Sequence, residues 1–289
     1  MLGHTENCHN PGNLPDEMPE INLRKTVPPL DHDHVELIWS SSFLLYVYQL
    51  GIACAICEGI DNELLMRKVK FGSVSGGGAS ATAMLATLMG VGDIRYWYRQ
   101  LSTDVSKSIA ETGTMLGSTN VLWKNMLKHW NVCHVGGMRI DAWNDRINII
   151  YTDLSSWVPK SVVKTKFKDE FELAGAMCAS AFIPCTTSPK PLFSTGEIQG
   201  FDGHLSFSLD TYPNTCDVVY LSLDLFSNRR TIESNGYKST HFSIHGDINF
   251  AADMYKLYRD QSHNDTMFEK GIEFGKKHMS EIKKLLHCD

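Results

Sequence analysis

The chain has 289 residues, 43% of them hydrophobic and 21% charged, the balance of an ordinary soluble globular protein with enough apolar material for a full core. That length makes one large domain or two small ones. The net charge of −6 excludes a general electrostatic attraction to nucleic acid or anionic lipid.

Residues 1–32 carry Pro11, Pro15, Pro19, Pro28 and Pro29 among Asn, Asp, Glu and Gly, and read as a flexible arm before a single domain at 33–289. A polar, Pro-rich opening reads as no secretory signal. The eight scattered cysteines then read as free thiols in a reducing, cytoplasmic compartment. Cys54 and Cys57 lie in an apolar helical run, so core packing is expected of them rather than redox or metal chemistry. Asp31-His32-Asp33-His34 gathers metal-ligating side chains, but in an extended run they point alternately apart, and no metal site is expected there.

Leu37 to Cys57 contains no charged residue, which is length enough for a membrane span. Ser40, Ser41, Ser42, Gln49 and Gly51 instead divide it into a strand at 35–39, a turn, and a helix at 43–58, buried in a soluble fold. A second strand is expected at 68–74. After it the chain reads Gly-Ser-Val-Ser-Gly-Gly-Gly-Ala-Ser-Ala-Thr from Gly72 to Thr82 and then becomes helical. Strand, tight turn, helix is the setting of a nucleophile elbow. Ser80, in Gly78-Ala79-Ser80-Ala81-Thr82, and Ser75, in Ser73-Val74-Ser75-Gly76-Gly77, are each one substitution away from G-x-S-x-G. The glycines fit neither a P-loop, which needs a following Lys, nor a dinucleotide fingerprint, whose last Gly is Ala81 here.

Further on, helices are expected at 94–116 and 120–129, and alternating apolar residues predict a hairpin over 137–151. A helix at 167–181 ends before Pro184. Residues 189–203 read as a loop and 218–225 as an apolar strand with Asp224 near its end. His241 and His245 alternate with Ser243, which places both imidazoles on one face of an extended segment. Closing helices are expected at 252–258 and 267–286. The lysines at 164, 166 and 168, and at 276, 277, 283 and 284, read as solvated faces. Apolar strands interleaved with helices give an α/β class, with a mainly parallel sheet covered on both faces.

Five pieces recur in a familiar order. The first is Trp39-Ser40-Ser41-Ser42-Phe43, leading to Tyr48-Gln49-Leu50-Gly51. The second is the Ser75/Ser80 elbow. The third is Cys178-Ala179-Ser180-Ala181-Phe182-Ile183-Pro184. The fourth is Gly200-Phe201-Asp202-Gly203-His204. The fifth, the weakest, is Glu269-Lys270-Gly271-Ile272-Glu273-Phe274. From about residue 35 to 286 this resembles the patatin-like phospholipase family, most of all its adipose triglyceride lipase-like branch.

The resemblance implies a three-layer α/β sandwich and a lipid acyl hydrolase. It would cleave glycerolipid esters through a Ser-Asp dyad and an acyl-enzyme. Ser80 is the preferred nucleophile, because Gly78-Ala79-Ser80-Ala81 matches the family wording, and Ser75 is the alternative. Asp202 would be the base. The oxyanion donors would be the backbone N–H groups of Ser41, Ser42 and Phe43, together with Ala81 after the nucleophile. No metal or organic cofactor is implied. The partner would be a lipid or other ester substrate, met by peripheral contact with a membrane or lipid droplet, and no nucleic acid is implied. Ser41, Phe43, Thr82 and His204 stand where the family has glycine (or, for His204, alanine). Those departures favour the alternative, a catalytically silent member that binds lipid or a protein partner.

Overall fold

The computed structural model describes residues 27–112, 114–121, 124, 140–155, 158–195, 198–223, 230–246, 248–257 and 260–289. Most of the expected N-terminal arm, most of the expected helix at 120–129, the start of the expected hairpin and Asp224 lie outside these residues.

Val35–Trp39 forms β1, with every residue buried, as a strand covered on both faces requires. A 3-10 turn at Phe43–Leu45 leads into α1, Tyr46–Gly59. Apolar on nearly all sides, α1 is a core helix. Asp61 caps α2, Asn62–Lys68, by accepting from the N–H groups of Glu63 and Leu64. β2 is Val69–Val74, α3 is Gly77–Leu88 and α4 is Ile94–Thr112. β3 is Ile147–Asp153 and β4 is Lys160–Lys164. Asp169 caps α5, Glu170–Ser180. β5 (Phe193–Thr195), β6 (Ile198–Phe201), β7 (Asp217–Ser222), β8 (Arg230–Ser234) and β9 (Tyr237–Ser243) follow. The chain closes with α6 (Phe250–Leu257), α7 (Gln261–Lys277) and α8 (Met279–Leu285).

The strands join in the order β5-β6-β3-β2-β1-β7-β9-β8, and β4 also pairs with β3. β3, β2, β1, β7 and β9 are mutually parallel, while the margins are antiparallel. The fold is therefore mixed α/β, with a largely parallel central sheet flanked by helices. Leu37, Trp39 and Phe71 belong to the large core shared with the helices. Ile38, Val74, Ile150, Val218 and Tyr220 face a thinner layer that contains Leu209 and Tyr212.

That thinner layer is pinned by a buried carboxylate. Glu36, 3% exposed in the middle of β1, accepts Tyr212 Oη and Asn148 Nδ2, each at 2.6 Å. Burial raises the Glu36 pKa, and burial together with the nearby Glu36 charge pushes the Tyr212 hydroxyl well up.

Several expectations are corrected. Ile140–Ala142 is a 3-10 turn rather than a hairpin arm, and β3 pairs in parallel with β2. The expected loop at 189–203 contains β5 and β6. The closing helix breaks at His278 into α7 and α8. His241 is buried in β9, whereas His245 lies past the strand's end with its Nδ1 on Gly246 O. Asp31 and Asp33 are held in ion pairs by Arg67 and Lys68. Leu37 to Cys57, as expected, forms most of β1, the 3-10 turn and most of α1 in the interior. Among the described residues no single helix is long and apolar enough to cross a membrane.

Candidate active site

β2 ends at Val74 and α3 begins at Gly77, so the chain must reverse direction within two residues. Ser75 makes that reversal with φ +55°, a region a non-glycine residue seldom adopts. Its N–H donates to Ser180 Oγ at 2.8 Å, and Ser180 Oγ donates to Ile150 O at 2.6 Å. Its carbonyl accepts the Gly78 N–H at 3.0 Å, at the start of α3. The elbow is thus tied to the end of α5, through it to β3, and to the start of α3.

Asp202 follows β6 and caps the 3-10 turn Gly203–Leu205. Its Oδ1 accepts the His204 N–H at 2.8 Å, and its Oδ2 accepts Ser75 Oγ at 2.5 Å. Its own N–H donates to Phe182 O at 2.9 Å, and its carbonyl accepts Thr152 Oγ1 at 2.7 Å. Ser75 is 4% exposed and Asp202 5%. Burial raises the Asp202 pKa above the usual carboxylate range, against the bonds from Ser75 and the His204 N–H, which lower it. The tight packing of this loop falls on Gly203, where a Cβ would lie 2.2 Å from Ile150 O. His204 itself is exposed, so a side chain there meets no crowding.

The loop after β1 lies against the elbow. Ser40 Oγ accepts the Leu223 N–H at 3.1 Å, and Gln49 Nε2 donates to Ser40 O, also at 3.1 Å. Ser41 is half-buried, and its carbonyl accepts Ser40 Oγ at 3.2 Å. Phe43 has φ +52°, the conformation that a glycine would take without cost. A Cβ on Gly76 would stand 2.7 Å from Ser42 Oγ, 2.8 Å from Phe43 O and 3.1 Å from Phe43 N. Only glycine lets the two loops approach this closely. The backbone N–H groups of Ser42, Phe43 and Gly76 donate to no backbone carbonyl among the described residues.

Ser80 and Ala81 lie a turn inside α3, both 0% exposed. Ser80 Oγ has no hydrogen-bond partner among the described residues. The Ala81 N–H falls where the helix ladder uses backbone donors. Thr82 Oγ1 donates to Met177 Sδ at 3.3 Å. The fold brings Ser75, not Ser80, to Asp202. The reason is register: Trp39 pairs with Ser73 and Val74 with Ile150, which ends β2 at Val74 and sets the elbow directly after it.

Ser75 and Gly76 open onto a cavity of about 90 Å³, walled chiefly by Leu44, Leu101, Val105, Met115, Met177 and Ile183. The wall is almost wholly apolar. Among the described residues no group of three His, Cys, Asp or Glu is placed to hold a metal. Burial pushes Cys54 up to about 12, and Cys57 and Cys178 higher still, so none of these three is a thiolate nucleophile. Ser75 and Asp202 form a hydroxyl–carboxylate pair, both buried, next to a helix N-terminus and an apolar hollow. Ser180 and Thr152, which hold the two halves, carry no signal in the sequence beyond Ser180's place in the third motif.

No family model matches the chain, and no curated protein matches it. Among solved structures it is similar to a chain of the heterodimeric ExoU-SpcU complex from the type III secretion system of Pseudomonas aeruginosa. The TM-score is 0.43 and the identity 10%, over 88% of this chain and 52% of that one. The chain therefore spans about half the length of that neighbour.

Proposed function

We propose that the chain is a serine-dependent acyl hydrolase of the patatin-like kind, with Ser75 as nucleophile and Asp202 as its base. The observation that carries this reading is the 2.5 Å hydrogen bond from Ser75 Oγ to Asp202 Oδ2, at a turn with φ +55° between β2 and α3. A serine hydroxyl needs a base to become a nucleophile, and the carboxylate is within reach of its proton. The order of the five sequence motifs supports the same reading.

Ser75 Oγ attacks the carbonyl carbon of an ester while its proton passes to Asp202. The carbonyl oxygen becomes an oxyanion beside the N–H groups of Gly76 and Phe43. Collapse breaks the ester C–O bond, and the departing alkoxide takes the proton from Asp202. Water then attacks the acyl-serine, gives a proton to Asp202, and releases the carboxylic acid as Ser75 recovers its hydrogen. The positive end of α3 favours the developing negative charge. The apolar cavity suits the acyl chain, so the substrate class is a carboxylic ester with an apolar acyl group, glycerolipid esters included.

A fluorophosphonate probe with peptide mapping tests the assignment. Labelling at Ser75, abolished in Ser75→Ala and Asp202→Asn and kept in Ser80→Ala, is the expected result. Labelling at Ser80 would move the nucleophile into α3. Folded protein that neither labels nor hydrolyses an ester would leave the catalytically silent reading, a lipid- or partner-binding protein.

A further inference from the structure

The loop Ser40–Phe43 contains a hydroxyl that the backbone-only oxyanion scheme does not use. Ser42 is 2% exposed, and its Oγ has no hydrogen-bond partner among the described residues. It sits against Gly76, 2.7 Å from where that residue's Cβ would be, on the side where Phe43 N also approaches at 3.1 Å. A buried hydroxyl without a partner is destabilising. Buried polar groups in proteins are mostly paired, and an orphan beside the Ser75–Asp202 pair is one that a ligand atom can complete. Ser40, two residues earlier, shows the contrast: its Oγ accepts from Leu223 N and Gln49 Nε2. Ser73 and Ser80 are also unpaired, but they lie in β2 and inside α3. Ser42 alone of the three touches the residue that follows the nucleophile.

We infer that Ser42 is a catalytic residue whose side-chain O–H donates to the oxyanion, alongside the backbone N–H groups of Gly76 and Phe43. The inference rests on the Ser75–Asp202 reading above. The Ser42 hydroxyl is left without a protein acceptor in the resting site and gains one as the carbonyl oxygen becomes negative. A donor that bonds mainly in the transition state acts on kcat more than on KM.

The test is steady-state hydrolysis of a short p-nitrophenyl ester by wild type, Ser42→Ala, Ser42→Thr and Ser75→Ala, with thermal melting of each. Ser42→Ala should lower kcat by about 10²–10³, the usual loss of one oxyanion donor, with KM little changed. Its melting temperature should hold or rise, because an orphan hydroxyl has been removed. Ser42→Thr, which keeps the hydroxyl, should recover most of the rate. If Ser42→Ala keeps wild-type kcat while Ser75→Ala is dead, the inference fails and the Ser75 reading stands. If Ser42→Ala melts early, Ser42→Cys decides: similar in shape and a weak donor, it overturns the inference by turning over at the wild-type rate and supports it by a lowered kcat. Wild type that neither hydrolyses nor labels with fluorophosphonate would remove both readings together.

Discussion

Phe43 and Ser75 hold the same left-handed backbone conformation, at φ +52° and +55°, and their loops meet at Gly76. Each such residue costs about 1–2 kcal/mol relative to a right-handed one. The cost is therefore placed on the two turns that frame the Ser75 hydroxyl, held there by the sheet register and the Ser180 bond.

Replacing Ser75 reads that cost directly. Alanine removes the hydroxyl and keeps the unfavourable φ, whereas glycine removes both. Ser75→Gly should be more stable than Ser75→Ala by about 1 kcal/mol, the reverse of their order inside a helix. Chemical denaturation of both variants checks this, and an alanine variant at least as stable would mean that the turn is not left-handed. Neither should label with fluorophosphonate.

On the proposed Ser75–Asp202 mechanism, an acid limb follows from the environment of Asp202. As a base it must be ionised, and burial raises its pKa. The rate should fall on acidification with a midpoint above about 3.9, the ordinary aspartate value. A pH profile of kcat/KM on a non-ionising ester measures it; a midpoint below the ordinary value would show that the hydrogen bonds outweigh burial.

Glu36 makes a stability prediction of definite sign. Its pKa is raised in the folded chain, so folding takes up a proton between the unfolded and folded values. Stability is then lost as pH rises from about 4.3, the unfolded value, through the folded one. Glu36→Gln keeps an acceptor for Tyr212 and Asn148 but has no charge to bury. Melting temperatures from about pH 4 to pH 8 should show wild type losing ground to Glu36→Gln as pH rises. Parallel curves would mean that Glu36 titrates alike in both states.

On the proposed mechanism the acyl group lies in the cavity beside Ser75, which then limits its length. A void of 150 Å³ accommodates benzene, so about 90 Å³ holds about four carbons. Among p-nitrophenyl esters, kcat/KM should peak near butyrate and fall for long chains. Val105→Ala, on the half-buried part of the wall, should move the optimum to longer chains. A rate that climbs steadily to long-chain esters in wild type would show the chain lying elsewhere.

Which parts of this were legible in the sequence depends on how local the deciding contacts are. The Val35–Trp39 strand, the turn and helix after it, the strand before the elbow, and Asp202 all show in local pattern and motif order. The choice between Ser75 and Ser80 does not. Gly72 to Thr82 is a run of small residues in which nothing local marks the last strand residue; the pairing of Val74 with Ile150 does. Glu36 carries no local signal, because its partners Asn148 and Tyr212 lie 112 and 176 positions away. Ile140 and Ala142 alternate like a strand, yet they form a 3-10 turn leading to the buried Trp143. The crowding in that loop falls on Gly203 and not on His204, a distinction of one residue that depends on which backbone passes Ile150.

The place of β1 bears on how the chain is made. One of its neighbours, β2, leaves the ribosome soon after it, but the other, β7, does not emerge until residue 217 and beyond. Through most of translation the nascent chain therefore presents an unpaired edge of Val-Glu-Leu-Ile-Trp. Late, non-local pairing of this kind slows folding, and exposed apolar strand edges invite aggregation. Chains truncated before β7 should be insoluble, and yield of the whole protein should respond to slower synthesis or added chaperone.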